Sequence, residues 1–204
     1  MPKDKTETHQ KILPAAMAEF LEKGFEKATM REIAAAAGIT AAGLYRHFAD
    51  KEAMFAALVE PVLAKCDAWY ARHKDEDYVY LEQGDLESMW TQGTELQMML
   101  DLVYENFDVF KLLLCRSEGT QYANWLHDFV MLEQKETLAY LEAAKAKGIP
   151  VREIKPAELH LLLTAYVGAM FEVVVHDFSK EDAIHYLKTL AEFFIPGWRT
   201  ILGL

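Results

Sequence analysis

With 204 residues, 52% of them apolar, and a formal net charge of −11, the chain has the bulk to bury one large core or two smaller ones. No run reaches the roughly 18 to 20 uncharged apolar residues of a membrane span, and the nearest, residues 159–175, is interrupted by His160 and Glu172. The N-terminus, MPKDKTETHQ, mixes charge signs and lacks a secretory apolar run, so a cytoplasmic protein without a membrane partner is expected, with Cys66 and Cys115 reduced and structural.

Charge is unevenly spread. Up to Lys51 there are eight basic residues (Lys3, Lys5, Lys11, Lys23, Lys27, Arg31, Arg46, Lys51) against seven acids (Asp4, Glu7, Glu19, Glu22, Glu26, Glu32, Asp50), so almost all the acidic excess lies further on. A uniformly acidic protein would repel nucleic acid; a near-neutral first quarter need not. Two functional parts are expected, residues 1–51 and residues 52–204.

Helical periodicity dominates and no period-two alternation marks a strand, so the expected fold is all-α with about nine helices. The first stripe, Ile12, Ala16 and Phe20 with Leu13, Met17 and Leu21 beside it, stops at Lys23-Gly24; Pro14 lies inside it, so the helix is expected to start shortly before Pro14 or to bend there. Thr29-Met-Arg-Glu32 is a capping box opening a helix over 30–37. Gly38 ends that helix, Ile39 fills the corner, and Thr40 caps a second helix expected to reach Phe48: a helix-turn-helix arrangement. Asp50 caps a long helix from Lys51, expected to be interrupted at Pro61, and RHKDEDYVYLEQGD reads as a polar stretch after it. Helices then follow over 86–106, 107–115, 122–147 and from Pro156 to about His176, with Ser179 capping the last one.

Within ITAAGLYRHF, residues 39–48, Leu44 and Phe48 share an inward face, whereas Ala42 and Arg46 point the other way with Gly43 and Tyr45 flanking. A small and then polar outer face suits a helix entering the DNA major groove, although a generic helical hairpin would produce the same profile.

Residues 12–59, ILPAAMAEFLEKGFEKATMREIAAAAGITAAGLYRHFADKEAMFAALV, resemble the DNA-binding domain of the TetR family of transcriptional regulators. The matches run through the Gly24-Phe25 corner, the Thr29 cap, Ile33-Ala34, Gly38, Leu44-Tyr45, His47-Phe48 and Lys51-Glu52. The resemblance covers about the first quarter of the chain and implies a homodimer reading a pseudo-palindromic double-stranded operator. It implies phosphate contacts by Thr29, Tyr45, His47 and Lys51, and base contacts by Arg31, Ala41, Ala42, Gly43 and Arg46, with Thr40 capping the recognition helix. Alanine methyls offer thymine methyls a contact or simply avoid a clash, so base specificity is expected of Arg31 and Arg46. The plainer readings are that Tyr45 is a rim aromatic, His47 a structural histidine and Arg31 a partner of surface acids.

The acidic body is rich in large apolar groups that helical spacing assigns mostly to core. Met89, Trp90, Met98, Tyr104 and Trp125 are candidates for lining a cavity, and Glu95, Glu118 and Glu172 for buried anions awaiting a cationic group, with a small hydrophobic or amphipathic effector as the ligand. LHLLLTAYVGAMFEVVVH is apolar around most of its circumference. With the last helix it is expected to form a symmetric dimer interface through Leu162, Tyr166, Ala169, Ile184, Leu187, Ala191 and Phe194. No spacing defines a metal site, a cofactor or a catalytic constellation, so a non-enzymatic regulator is expected. The leading expectation is a repressor released by a small molecule; the alternative is a DNA-positioned adapter controlled by a protein partner.

Overall fold

The computed structural model describes residues 5–91 and 94–203, and their side chains apart from those of residues 5–10, 89, 91 and 94–99. Among the described residues there are ten helices and no strand: α1 (Lys5–Lys27), α2 (Met30–Ala36), α3 (Ala41–Leu44), α4 (Lys51–Gln83), α5 (Leu86–Thr91), α6 (Thr94–Glu105), α7 (Phe107–Cys115), α8 (Trp125–Ala146), α9 (Pro156–Val175) and α10 (Lys180–Leu202). They form two compact units, Met1–Cys66 with Asn106–Ala123, and Asp67–Glu105 with Asn124–Leu204. The division after Lys51 concerns which residues would meet DNA; the units concern which residues share a core.

In the first unit, α1 runs through Pro14 from Lys5, earlier than expected, and kinks where the sequence places its cap: Gly24 has φ 77°, a conformation open to glycine at little cost. That kink turns Phe25 inward. Phe20, Phe25 and Phe55 then meet with ring centroids 5.3 to 5.8 Å apart, and Phe55 is fully buried. Such edge-on and tilted aromatic contacts add to area burial. Helix α7 buries Val109, Phe110, Leu112 and Leu113 and packs on α1. Just beyond it, Arg116 donates Nε–H to the Leu21 carbonyl at 2.8 Å and accepts from the Phe25 amide at 3.0 Å, satisfying backbone groups freed at the α1 kink.

Helix α4 corrects the sequence reading. It is unbroken for 33 residues, through Pro61 and through the charged stretch assigned to a polar connection. Pro61 is exposed, and the second half of α4 carries an inward line, Tyr70, Asp77, Tyr78 and Leu81, at helical spacing. In the second unit Leu81 packs with Tyr140 and Ala144 of α8, bordered by Tyr78, Leu86 and Ile149. Helix α8 begins at Trp125 rather than Tyr122, and within 86–106 the described residues of α5 and α6 are helical as expected.

Helix α9 is long and apolar enough, by length and composition alone, to cross a membrane. Seven of its side chains, from Leu159 to Val174, are buried, and it packs against α8 and α10, which makes it the core helix of its unit. Helix α10 starts as expected: the Ser179 hydroxyl oxygen accepts from the Asp182 amide at 3.1 Å.

Candidate functional site

The helix-turn-helix is built from three local devices. The Thr29 hydroxyl oxygen accepts from the Glu32 amide at 3.2 Å and opens α2; the Ile39 amide donates to the Ala34 carbonyl at 3.0 Å and closes the Gly38 corner, where φ is 67°. The Thr40 hydroxyl oxygen then accepts from the Gly43 amide at 3.0 Å and opens α3. The α-helical part of α3 is shorter than expected, ending at Leu44. Residues 45–48 continue as tightened turns, in which Arg46 donates to Gly43 and His47 to Leu44.

Leu44 and Phe48 are buried as the periodicity required, and the opposite side is open. Arg31, Thr40, Ala42 and Arg46 are exposed, Ala41 and His47 are half-buried, and Tyr45 is 55% exposed. Among the described residues neither Arg31 nor Arg46 makes a salt bridge, so both guanidinium groups keep donors for an outside acceptor.

Three expected contacts look different in the structure. Gly43 is buried rather than facing outward: a Cβ there would lie 3.2 Å from Thr40 Oγ1 and 3.7 Å from the Arg46 guanidinium, so its role is to let the cap and Arg46 approach the backbone. The Thr29 hydroxyl donates its only proton to Glu32 Oε2 at 2.7 Å, leaving none for a phosphate in this arrangement. Glu32 is itself held by Lys23 at 2.8 Å, and that bond, with the one from Thr29, keeps its carboxyl below the usual range. Thr40 has the better-placed donor, since its oxygen caps α3 while its proton has no acceptor among the described residues.

Lys51 is the third. Its ammonium donates to the carbonyls of Phe25 at 2.7 Å, Glu26 at 3.0 Å and Ala28 at 3.5 Å, and sits 4.4 Å above the Phe25 ring. An ammonium has three N–H donors, and three carbonyls take them. Lys51 therefore ties the start of α4 to the end of α1, a role the sequence did not signal because its partners are backbone oxygens about 25 residues away. Lys51→Met should lower unfolding stability by about 1.5 to 3 kcal/mol in urea titration, the range for hydrogen bonds to charged groups; unchanged stability would show that these bonds contribute nothing.

Met89, Glu95 and Met98 lie outside the described side chains. Glu118 belongs to the first unit and is exposed, and Glu172 is exposed with its carboxylate 3.0 Å from His176, so neither is a buried anion. Tyr104 donates to the carbonyl oxygens of Phe178 and Ser179, Trp125 packs among Phe129 and Phe171, and Trp90 is half-buried with an indole N–H that finds no acceptor among the described residues. A surface groove of about 400 Å³ between α8 and α9 is lined by His127, Met131, Gln134, Ala157, His160 and Leu161, none of them anticipated. Of the dimer candidates, Leu187 is 2% exposed and belongs to the core; Ile184 is 44% exposed, and Leu162, Tyr166, Ala169, Ala191 and Phe194 are half-buried, Tyr166 and Phe194 against each other at 5.1 Å.

The sequence profile described as "Bacterial regulatory proteins, tetR family" matches residues 12–58, the span from the buried Ile12 of α1 through the first turns of α4. Over nearly the whole chain, 201 residues are 37% identical to the HTH-type transcriptional regulator UidR of Escherichia coli K12, covering 96% of this chain and 91% of that protein. The chain belongs to the TetR family.

Other relatives match over shorter stretches. The HTH-type transcriptional repressor KstR2 of Mycobacterium tuberculosis is 42% identical over 64 residues, 31% of this chain and 30% of that protein. The matched segment thus spans less than a third of that repressor. In solved structures the TetR-family fold recurs in PfmR of Thermus thermophilus, with TM-score 0.57 and 22% identity over 88% of this chain and 93% of that one. It recurs also in NalD of Pseudomonas aeruginosa, with TM-score 0.57 and 21% identity over 92% and 96%. As a member of this family the chain is a DNA-binding transcriptional regulator with an all-α fold and an N-terminal helix-turn-helix.

Proposed function

We propose that the protein is a homodimeric repressor that binds a pseudo-palindromic operator through residues 1–51 and is released by a small molecule bound within residues 52–204. The observation carrying the DNA reading is the exposed face of the helix-turn-helix, on which Arg31 and Arg46 make no salt bridge among the described residues and Ala42 is small and exposed. Bidentate contacts to guanine suit such groups, and Thr40, Tyr45 and His47 flank them as phosphate ligands. Thr29 joins the phosphate contacts if its hydroxyl turns away from Glu32. The acidic remainder of the chain lowers non-specific attraction without weakening local donors, which favours a large specificity ratio.

On a duplex selected for binding, Arg31→Ala and Arg46→Ala should each cost about 1 to 3 kcal/mol and relax preference at one base pair per half-site. Equal affinity of both variants and the parent for that duplex would overturn this assignment.

Dimerisation through α9 and α10 is supported by the apolar side chains that face outward there, among them Ile184 and the half-buried Ala191. Two-fold symmetry would place the two recognition segments about one helical turn, or a multiple of it, apart on DNA. Sedimentation at micromolar concentration should give a dimer, and Ile184→Glu should shift it toward monomer because an unpaired charge would be buried. A monomeric parent protein would contradict the proposal. Helix α4 is the proposed lever: Lys51 ties its first turn to α1, and the helix runs unbroken to Gln83. An effector need prefer the non-binding geometry by only a few kcal/mol to change occupancy substantially. The groove holding the exposed Met131 and Leu161 favours a second reading, control by a protein partner.

A further inference from the structure

Residues on α4 and α8 make a seam of unusual composition inside the second unit. Tyr70, Lys74, Asp77, Tyr78 and Leu81 on α4 repeat at helical spacing, as do Phe129, Glu133, Glu136 and Tyr140 on α8. Rings span the seam at both ends, Tyr70 with Phe129 at 5.9 Å and Tyr78 with Tyr140 at 5.5 Å, both edge-on. Between them lie three carboxylates, and the basic groups are unequally shared. Lys74 is taken by Glu136 at 2.6 Å, and His73 lies 3.7 Å from Asp77. Glu133 pairs with no cation among the described residues; its carboxylate accepts only from the Tyr70 hydroxyl. Burial, followed by the neighbouring Asp77, pushes the Glu133 carboxyl up to about 7, and burial also raises Asp77.

A second observation is independent of these charges. Tyr140 is 9% exposed and its buried hydroxyl has no hydrogen-bond partner among the described residues, although it stands near Asp77 and Tyr78. Burying a hydroxyl without a partner is costly, and native structures seldom leave one so. A half-buried anion without a counter-ion, edge-on rings and an unused hydroxyl are together the recognition chemistry of an organic cation. A metal ion fits less well, since no cluster of three His, Cys, Asp or Glu ligands forms among the described residues.

We propose that the α4–α8 seam binds an organic cation with an apolar body, its charge against Glu133 and Asp77, its body against Tyr70 and Phe129, and a polar substituent at the Tyr140 hydroxyl. This rests on the small-molecule reading above and names the chemical class of the effector. Glu95, Glu118 and Glu172 are the acids that the sequence offers for such a role; the proposal gives it instead to Glu133 and Asp77. Binding is coupled to pH because the cation favours ionised Glu133, and the facing groups that shape this titration are Tyr70, His73, Lys74, Asp77 and Tyr78 from α4 with Glu136 and Tyr140 from α8.

The test is calorimetric titration of the full chain with tetraphenylphosphonium, and with tetraphenylborate as an anion of nearly the same shape. The cation should bind and the anion should not. At about pH 8.5, Glu133→Gln should weaken cation binding about tenfold, and at about pH 5.5 parent and variant should converge because the parent's carboxyl is then protonated. Equal binding of both ions, or a variant matching the parent at the higher pH, overturns the site; the parent's own loss of affinity at low pH tests it without any variant. Operator affinity is measured alongside. Cation binding that leaves operator affinity unchanged would overturn release by this ligand while the site stands; release by another compound with no cation binding would overturn the site while the regulatory reading stands.

Discussion

Phe55→Ala is expected to destabilise the protein by about 3 to 5 kcal/mol, enough to unfold a sizeable fraction of many domains. The side chain is fully buried, sits within 5.5 Å of the rings of both Phe20 and Phe25, and stacks at 5.8 Å on Tyr122 from the segment after α7. Its loss would open a cavity among these rings, and the kink at Gly24 leaves Phe25 little freedom to refill it. Because the buried Ile33 of α2 and Leu44 of α3 belong to the same compact unit as Phe55, operator affinity should fall with stability. Denaturant unfolding of parent and variant measures the loss; a difference below about 1 kcal/mol would mean that the aromatic cluster is not the core of this unit.

Glu133→Gln should do the opposite at alkaline pH. The folded protein holds this carboxyl at about 7, against the ordinary value of 4.5, so between those values the folded state carries more proton than the unfolded chain. Stability therefore falls as pH rises through that window and stays low above it. Glutamine keeps an acceptor for the Tyr70 hydroxyl and cannot ionise. At about pH 8 the variant should be more stable than the parent by about 1 to 3 kcal/mol, and at about pH 5 the two should agree to within about 0.5 kcal/mol. Unfolding in urea at both pH values decides it. A variant less stable at the higher pH would mean that Glu133 is a satisfied anion, and the cation site would lose its basis.

The devices most legible in the sequence are local. Thr29, Gly38, Thr40, Asp50 and Ser179 each open or close an element where short-range cap chemistry places them, and Leu44 and Phe48 face inward because helical periodicity leaves them no alternative. What escapes the sequence is set by distant partners. Nothing near Lys51 announces that its ammonium caps carbonyls of α1, and nothing near Arg116 announces that it completes the Gly24 kink. The charged half of α4 is obscured for a different reason: its solvated face outnumbers its inward line, so Tyr70, Asp77 and Leu81 are lost among lysines and acids. Glu133 is legible only as one more acid on a polar helix, since its significance depends on the rings and carboxylates facing it from α4. Glu172 is the converse case. It sits in an apolar run, yet points outward to His176.

The role proposed for the exposed face carrying Arg31 and Arg46 is to read a symmetric DNA site, and selection of bound duplexes from a random pool tests that role without intermediaries. The expected outcome is an enriched inverted repeat whose half-sites are centred about one helical turn or a multiple apart, each containing guanines that lose enrichment when Arg31 or Arg46 is replaced by alanine. A pool that stays random, or one whose enriched sequence is indifferent to both substitutions, would refute it.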